Sequence, residues 1–296
     1  MASSSRSPQP PPWVELPEGI TEKILQKLGA FEILCSAQRV CTTWRRLCKD
    51  PSMWGVIDMR FSGIAGLWEL ENYPDKMCIR AVDLSQGNAA HINIEYFGSD
   101  GLLNYIALSY ICFNRSSQLK RLQLAFCYNV SAEGLSKAVK KLPLLEELHL
   151  SFISITQEAI ESIGRSCPRL RSFELNHRVC SFQHMEYDEE AVAIAENMRE
   201  LQHLQLIGNK MTDDGLLAIL NGCPHLESLD IRQCFNLRFG GNLRTKCSQQ
   251  IKKLRWPTDS TEDYRFCHEI YDSELNFPCD IYDTDSSYDS DNDWFI

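Results

Sequence analysis

Near the start of the chain, apolar residues recur at helical spacing. Leu16, Ile20, Ile24, Leu25 and Leu28 share one stripe and predict a first helix. Pro17 suits its start, where a missing N–H costs nothing. Glu18 suits the positive end, Lys27 the negative end, and Gly29 can stop the turn. Leu34, Ala37, Val40 and Cys41 predict a second helix, Trp44 and Leu47 continue its face, and Pro51 breaks it before Trp54. Burying each large apolar side chain contributes roughly 1.5–3 kcal/mol. A unit of about 40 residues cannot cover them all internally. Part of this surface must dock elsewhere, either on the rest of the chain or on a separate partner, and periodicity leaves both open.

Farther on, the spacing changes to apolar positions at i, i+3 and i+5. The pattern reads Ile79, Val82, Leu84; Leu119, Leu122, Leu124; Leu145, Leu148, Leu150; Leu170, Phe173, Leu175; Leu201, Leu204, Leu206; and Leu226, Leu229, Ile231. The last five units start 26, 25, 31 and 25 residues apart, the leucine-rich-repeat period. Ser131, Thr156 and Thr212 can each cap a helix that follows the strand, and Cys167-Pro168 and Cys223-Pro224 lead into the next one. One such unit cannot bury its apolar face, but a row of them can. The wide step from Ile79 to Leu119 predicts an insertion near residues 107–117, and residues 184–190 form a second, charged excursion. Residues 242–256 are expected to cap the last coil.

Leu16-Pro17, Ile20, Ile24-Leu25, Leu28, Val40-Cys41, Trp44, Leu47, Pro51 and Trp54 resemble an F-box. The repeats with Cys167 and Cys223 resemble the cysteine-containing leucine-rich repeats. Together, over roughly residues 13–265, the chain resembles plant F-box/leucine-rich-repeat proteins of the SKP-interacting partner nineteen-like group. The implied fold is α/β: a helical N-terminal F-box followed by a short right-handed leucine-rich-repeat solenoid of parallel strands plus helices. The expected organisation is a disordered leader (1–12), the F-box (13–57), a bridge (58–78) with Trp68 and Leu70 at the junction, repeats with a C-terminal cap (79–256), and an acidic disordered tail (257–296). The resemblance implies that Leu16, Pro17, Ile20, Ile24, Leu25 and Leu28 line an interface with a Skp adaptor, and that Val40, Trp44, Leu47 and Trp54 complete the apolar face. It further implies cullin and RING subunits reached through the adaptor, and a target protein held by the repeats.

Composition narrows the remaining classes. Hydrophobic content of 44% marks a globular chain, and no apolar run approaches the length of a membrane span. The leader has no apolar core and does not read as a secretory signal. Thirteen cysteines without any C-x-x-C pair argue for reduced thiols, in the nucleus or cytoplasm, and against structural zinc. Of the net charge of −10, nine acidic residues fall from Glu269 to the end without a Lys or Arg. The rest is nearly neutral and offers no electrostatic footprint for nucleic acid. Ser286 and Ser290, each followed by an Asp three residues on, are candidate sites for an acid-directed kinase.

No catalytic constellation is present in the sequence: no G-x-S-x-G, phosphate-cradling glycine loop or H-E-x-x-H. His149, His177 and His203 occupy different repeat positions and do not suggest a metal. Cys127, Cys167, Cys223 and Cys234 suit small buried packing positions. No cofactor is expected. Alternate strand residues point to the concave face, where Asp83, Gln123, His149, Glu174, Gln205 and Asp230 form one ladder and Gln86, Phe126, Phe152, His177, Gly208 and Gln233 a second. Phe126, His149, Phe152, Glu174 and His177 are therefore the candidate target-binding residues; coverage of the two Phe rings by insertion loops is the alternative. The expected function is a non-catalytic substrate-recognition subunit of a Skp–cullin–F-box ubiquitin ligase. A repeat scaffold acting outside a ligase is the alternative.

Overall fold

The computed structural model describes residues 16–60, 73–112, 119–178 and 186–270. Eight strands form one parallel sheet in which spatial order equals chain order. They are β1 (Val56–Met59), β2 (His91–Glu95), β3 (Arg121–Ala125), β4 (Glu147–Ser151), β5 (Ser172–Asn176), β6 (His203–Gln205), β7 (Ser228–Asp230) and β8 (Lys253–Arg255). Parallel neighbours need crossover connections. Seven helices supply them in turn: α4 (Tyr73–Ser85), α5 (Asp100–Cys112), α6 (Ala132–Val139), α7 (Gln157–Ser166), α8 (Glu189–Asn197), α9 (Asp213–Gly222) and α10 (Leu243–Gln250). The i, i+3, i+5 residues point between sheet and helices. Ile92, Leu122, Leu148, Phe173, Leu204 and Leu229 stand in one register row and all are buried.

The N-terminal unit comprises α1 (Glu18–Leu25), α2 (Ala30–Cys35) and α3 (Thr42–Leu47). The expected single second helix is two. A short 3-10 turn (Ala37–Arg39) follows α2, and Cys41 is extended at φ −157° and caps α3, its Sγ accepting from the Trp44 amide at 3.4 Å. Val40, Thr42 and Thr43 make a β-branched cluster that weakens a continuous helix there. Trp54 is buried and its indole N–H donates to the Cys48 carbonyl at 3.0 Å. The chain then enters β1 directly, and α2 packs on β1 and α4, so both units share one apolar core. Phe31 of α2 meets Phe97 edge-on at 5.9 Å.

Four other expectations are corrected. Residues 79–84 are helix, not strand: Cys78, Ala81, Val82 and Ser85 are buried at helical spacing within α4. The first coils of the sheet are instead β1 and β2, with Ala89, Ile92 and Ile94 in the repeat positions. The step before Leu119 is thereby a coil of ordinary size, and Ala107 belongs to its helix, α5. Residues 242–256 are more than a cap, because α10 and β8 make one further coil with Ile251 and Leu254 in register. Finally, residues 257–270 are ordered, ending in α11 (Cys267–Ile270). Trp68, Leu70, the leader and the serines of the acidic tail lie outside the described residues.

Candidate functional site

Two surfaces carry the candidate residues. On the N-terminal unit, Pro17 is exposed, Leu16 and Ile24 are half-buried, and Ile20 and Val40 are 49% and 57% exposed. Such exposure of branched apolar side chains on a small helical unit is what a docking face requires. Three other residues of the expected interface are corrected by their burial: Leu25, Leu47 and Trp54 are at most 2% exposed and form the internal core. Leu28 and Trp44 are intermediate and lean on that core. The stripe therefore divides into inward and outward members, as a helix with apolar residues at i, i+3 and i+4 must when it packs on one side only.

The second surface is the concave face. Strand pairing aligns Asn93, Gln123, His149, Glu174, Gln205, Asp230 and Arg255 in one ladder. Two residues past the last apolar strand position, Tyr96, Phe126 and Phe152 adopt left-handed φ values of 67°, 55° and 58°. That conformation costs non-glycine residues roughly 1–2 kcal/mol each. It lets each amide donate to the next coil, Tyr96 to Ala125, Phe126 to Ser151 and Phe152 to Asn176, at 2.9–3.0 Å. The rings consequently stack along the sheet edge, Tyr96 on Phe126 at 4.6 Å and Phe126 on Phe152 at 4.5 Å.

These aromatics are not open to solvent: Phe126 is 2% and Phe152 7% exposed. What covers them is the chain itself. After β8 the backbone crosses the concave face, and Phe266 sets its ring edge against Phe126 at 5.3 Å and Phe152 at 5.9 Å. Tyr264 donates its hydroxyl to Ser151 Oγ at 3.2 Å, and Arg265 reaches Glu95 Oε2 at 2.8 Å, 170 residues away in sequence. At the other end Arg232, almost wholly buried, grips Asp230 with two nitrogens, donates to the Ser260 carbonyl at 2.7 Å and pairs with Asp263. Arg255 also holds Asp263, at 2.8 Å. Beside this segment an open cleft of about 590 Å³ remains over the later coils, with Glu174, Gln205, Asp230 and Arg255 among its lining.

The polar members of the face are tightly coupled. His149 is buried, and its Nδ1 faces Arg121 and Glu174 Oε1, each at 3.2 Å. Burial and the Arg121 charge push its pKa down to about 3, so the ring is neutral at physiological pH. Its Nε2–H is the donor to Ser172 Oγ at 3.2 Å. Burial pushes Glu174 up to about 7, partly offset by Arg121. With the His149 ring neutral, the contact between His149 and Glu174 is not an ion pair. His177 is committed elsewhere: its Nε2 lies 3.0 Å from Glu190, which Asn209 also bonds at 2.7 Å. Burial opposes the Glu190 charge, but His177 and Asn209 outweigh it and hold the carboxyl below its ordinary range. Glu190, Arg232, Tyr264 and Phe266 were missed in the sequence. A signal for the last two was available in Asp263-Tyr264-Arg265-Phe266, two aromatics among charges just past the final repeat.

The cysteines at repeat positions are packing groups. Burial pushes the thiols of Cys127, Cys167 and Cys223 up to about 12, and each donates to a carbonyl of an earlier coil. Among the described residues no cluster of three or more His, Cys, Asp or Glu side chains could hold a metal ion, and no helix is long and apolar enough to cross a membrane.

Comparison with known proteins bears on both surfaces. A family model described as F-box-like matches residues 13–60. Models described as the LRR repeats of FBD-associated F-box protein At5g56370 and as Leucine Rich repeat match residues 107–190 and 197–220. The chain is similar to F-box/LRR-repeat protein 23 of Arabidopsis thaliana, 48% identical over 84% of this chain and 54% of that protein, so it spans about half of that relative's length. It is also similar to F-box protein SKIP19 of the same plant, 44% identical over 96% of this chain and 91% of that one. F-box protein SKIP1 is 28% identical over 82% of this chain and 84% of that one.

Proposed function

The chain belongs to the F-box/leucine-rich-repeat family, and from that premise we propose that it is a substrate-recognition subunit of a Skp–cullin–F-box ubiquitin ligase. The observation that carries the proposal is a helical unit with exposed Pro17, Ile20 and Val40 and half-buried Leu16 and Ile24, joined through one continuous core to a concave sheet. The outward face docks the Skp adaptor, and through it the cullin and RING subunits. The concave face holds a target protein. The chain does no covalent chemistry in this scheme; the shared core fixes the target's position relative to the conjugating enzyme, and proximity raises the local concentration of acceptor lysines. It works in the nucleus or cytoplasm.

Co-purification with a plant Skp adaptor tests the proposal. Wild type is expected to be retained, and the double change Leu16→Ala, Pro17→Ala to weaken retention. Ile20→Glu with Val40→Glu should weaken it at least about tenfold at an unchanged melting temperature, because burying each such side chain contributes roughly 1.5–3 kcal/mol and about 1.4 kcal/mol is tenfold. A folded wild type that does not bind any adaptor overturns the proposal and leaves the repeat scaffold acting outside a ligase.

A further inference from the structure

The segment that covers the concave face is held unlike the rest of the fold. From Ser260 to Phe266 its backbone hydrogen bonds among the described residues are local turns, such as the Tyr264 amide to Thr261 at 2.8 Å. Its attachment to the sheet is made by side chains: Asp263 on Arg232 and Arg255, Tyr264 on Ser151, Arg265 on Glu95, and Phe266 against Phe126 and Phe152. This is how a short turn-forming peptide ligand is held in a groove, with an anionic anchor, a hydroxyl contact, a cationic contact and an aromatic anchor. The fit is also incomplete. Glu95 is buried, and while Oε2 accepts from Arg265, Oε1 has no hydrogen-bond partner among the described residues. Asp263, Arg255 and Arg265 keep about half of their side-chain surface in solvent.

We propose that Asp263–Phe266 is a tethered ligand occupying the target groove, and that the target is a protein segment of the same chemistry which displaces it. That segment has a carboxylate, an aromatic three residues later, and a guanidinium immediately before the aromatic. The carboxylate seats between Arg232 and Arg255, the aromatic against Phe126 and Phe152, and a bidentate guanidinium satisfies both oxygens of Glu95. Its flanking residues extend into the cleft beside Glu174 and Gln205. The proposal rests on the reading of the concave face as the target site. The tether sets a threshold, because a segment matching only one anchor does not compete with an intramolecular occupant at high effective concentration.

The test uses the full chain without the Skp adaptor. A fluorescent peptide copying residues 257–268, with Cys267→Ser, is titrated against wild type and against Asp263→Ala/Phe266→Ala. The released variant is expected to bind at least tenfold more tightly than wild type. Peptides lacking the Asp or the Phe, and the released variant carrying Arg255→Glu, are expected to lose that binding. Amide hydrogen exchange of wild type is the second measurement, and covers the case in which the released variant does not fold. Residues 260–266 are expected to exchange at least 100-fold faster than β3 to β5. Equal affinity of folded released variant and wild type, equal binding of the anchor-less peptides, or protection of residues 260–266 matching β4 each overturns the proposal and makes the segment a permanent part of the core. A failed adaptor co-purification would leave these measurements intact, and their failure would leave adaptor docking standing.

Discussion

At the scale of single residues, the concave face couples two titrations of opposite sign. Glu174, pushed up from 4.5 to about 7, favours its protonated form in the fold. Between those values the folded chain binds more protons than the unfolded one, so this group's contribution to stability falls as pH rises from about 4.5 through 7. His149, pushed down from 6.5 to about 3, acts oppositely, and its contribution is lost as pH falls through that window. From about 4.5 to 6.5 the two nearly cancel. Glu174→Gln isolates them. Relative to wild type, the variant is expected to gain up to roughly 3 kcal/mol between pH 5 and pH 8, as 1.36 kcal/mol per pKa unit implies. Urea melts at the two pH values measure it, and a difference that does not move with pH would sink the linkage. Acidic residues at helix starts do a quieter job. Asp100 accepts from the Ser131 amide and hydroxyl, and Asp188 from those of Thr212, at 2.6–2.8 Å, so one coil's carboxylate braces the next coil's N-cap.

At the scale of elements, stacking distance between coils is set by small residues. A Cβ on Gly222 of α9 would lie 2.2 Å from the Ala195 carbonyl oxygen of α8, a backbone atom that cannot step aside. Gly222→Ala is therefore expected to destabilise the protein by about 1–3 kcal/mol through overpacking, despite alanine's better helix propensity. A thermal melt reads the effect, and an unchanged or raised Tm would show that α8 and α9 can separate. Element type was legible wherever local periodicity and a second cue agreed. Leu145, Leu148 and Leu150 followed by a capping Thr156 describe β4 and α7. Ile79, Val82 and Leu84 carry the strand spacing without a capped helix after them, and they are helix because i and i+3 also share a helical face. The true second strand escaped notice because Ala89 stands where other coils have Leu, a substitution that keeps burial but erases the pattern.

At the scale of the whole molecule, the two units share one apolar core. Phe31 is buried at the seam against Phe97, in a core that runs from Leu25 to Ile251. Phe31→Ala is expected to cost about 3–5 kcal/mol and to lower one shared transition. Calorimetry showing two transitions, with only the first displaced, would mean that the units unfold independently. Rigidity at this seam matters for the proposed ligase role, because a hinge there would blur the geometry between adaptor and target.

By itself the sequence determined the repeat period, the N-terminal helical unit and the middle of the concave ladder from Gln123 to Asp230, since each is written in apolar spacing within a few turns of chain; its first member is Asn93, not Asp83, which lies in α4. Only the tertiary structure decided which members of the F-box stripe stay outside. Ile20 is exposed and Leu25 is not because α1 packs on one side only. It also decided that Phe126 and Phe152 are covered. Tyr264 and Ser151 lie 113 residues apart, and Arg265 and Glu95 lie 170 apart. Contacts that distant leave no local periodicity, and they form only because the segment after β8 folds back across the sheet to β4 and β2.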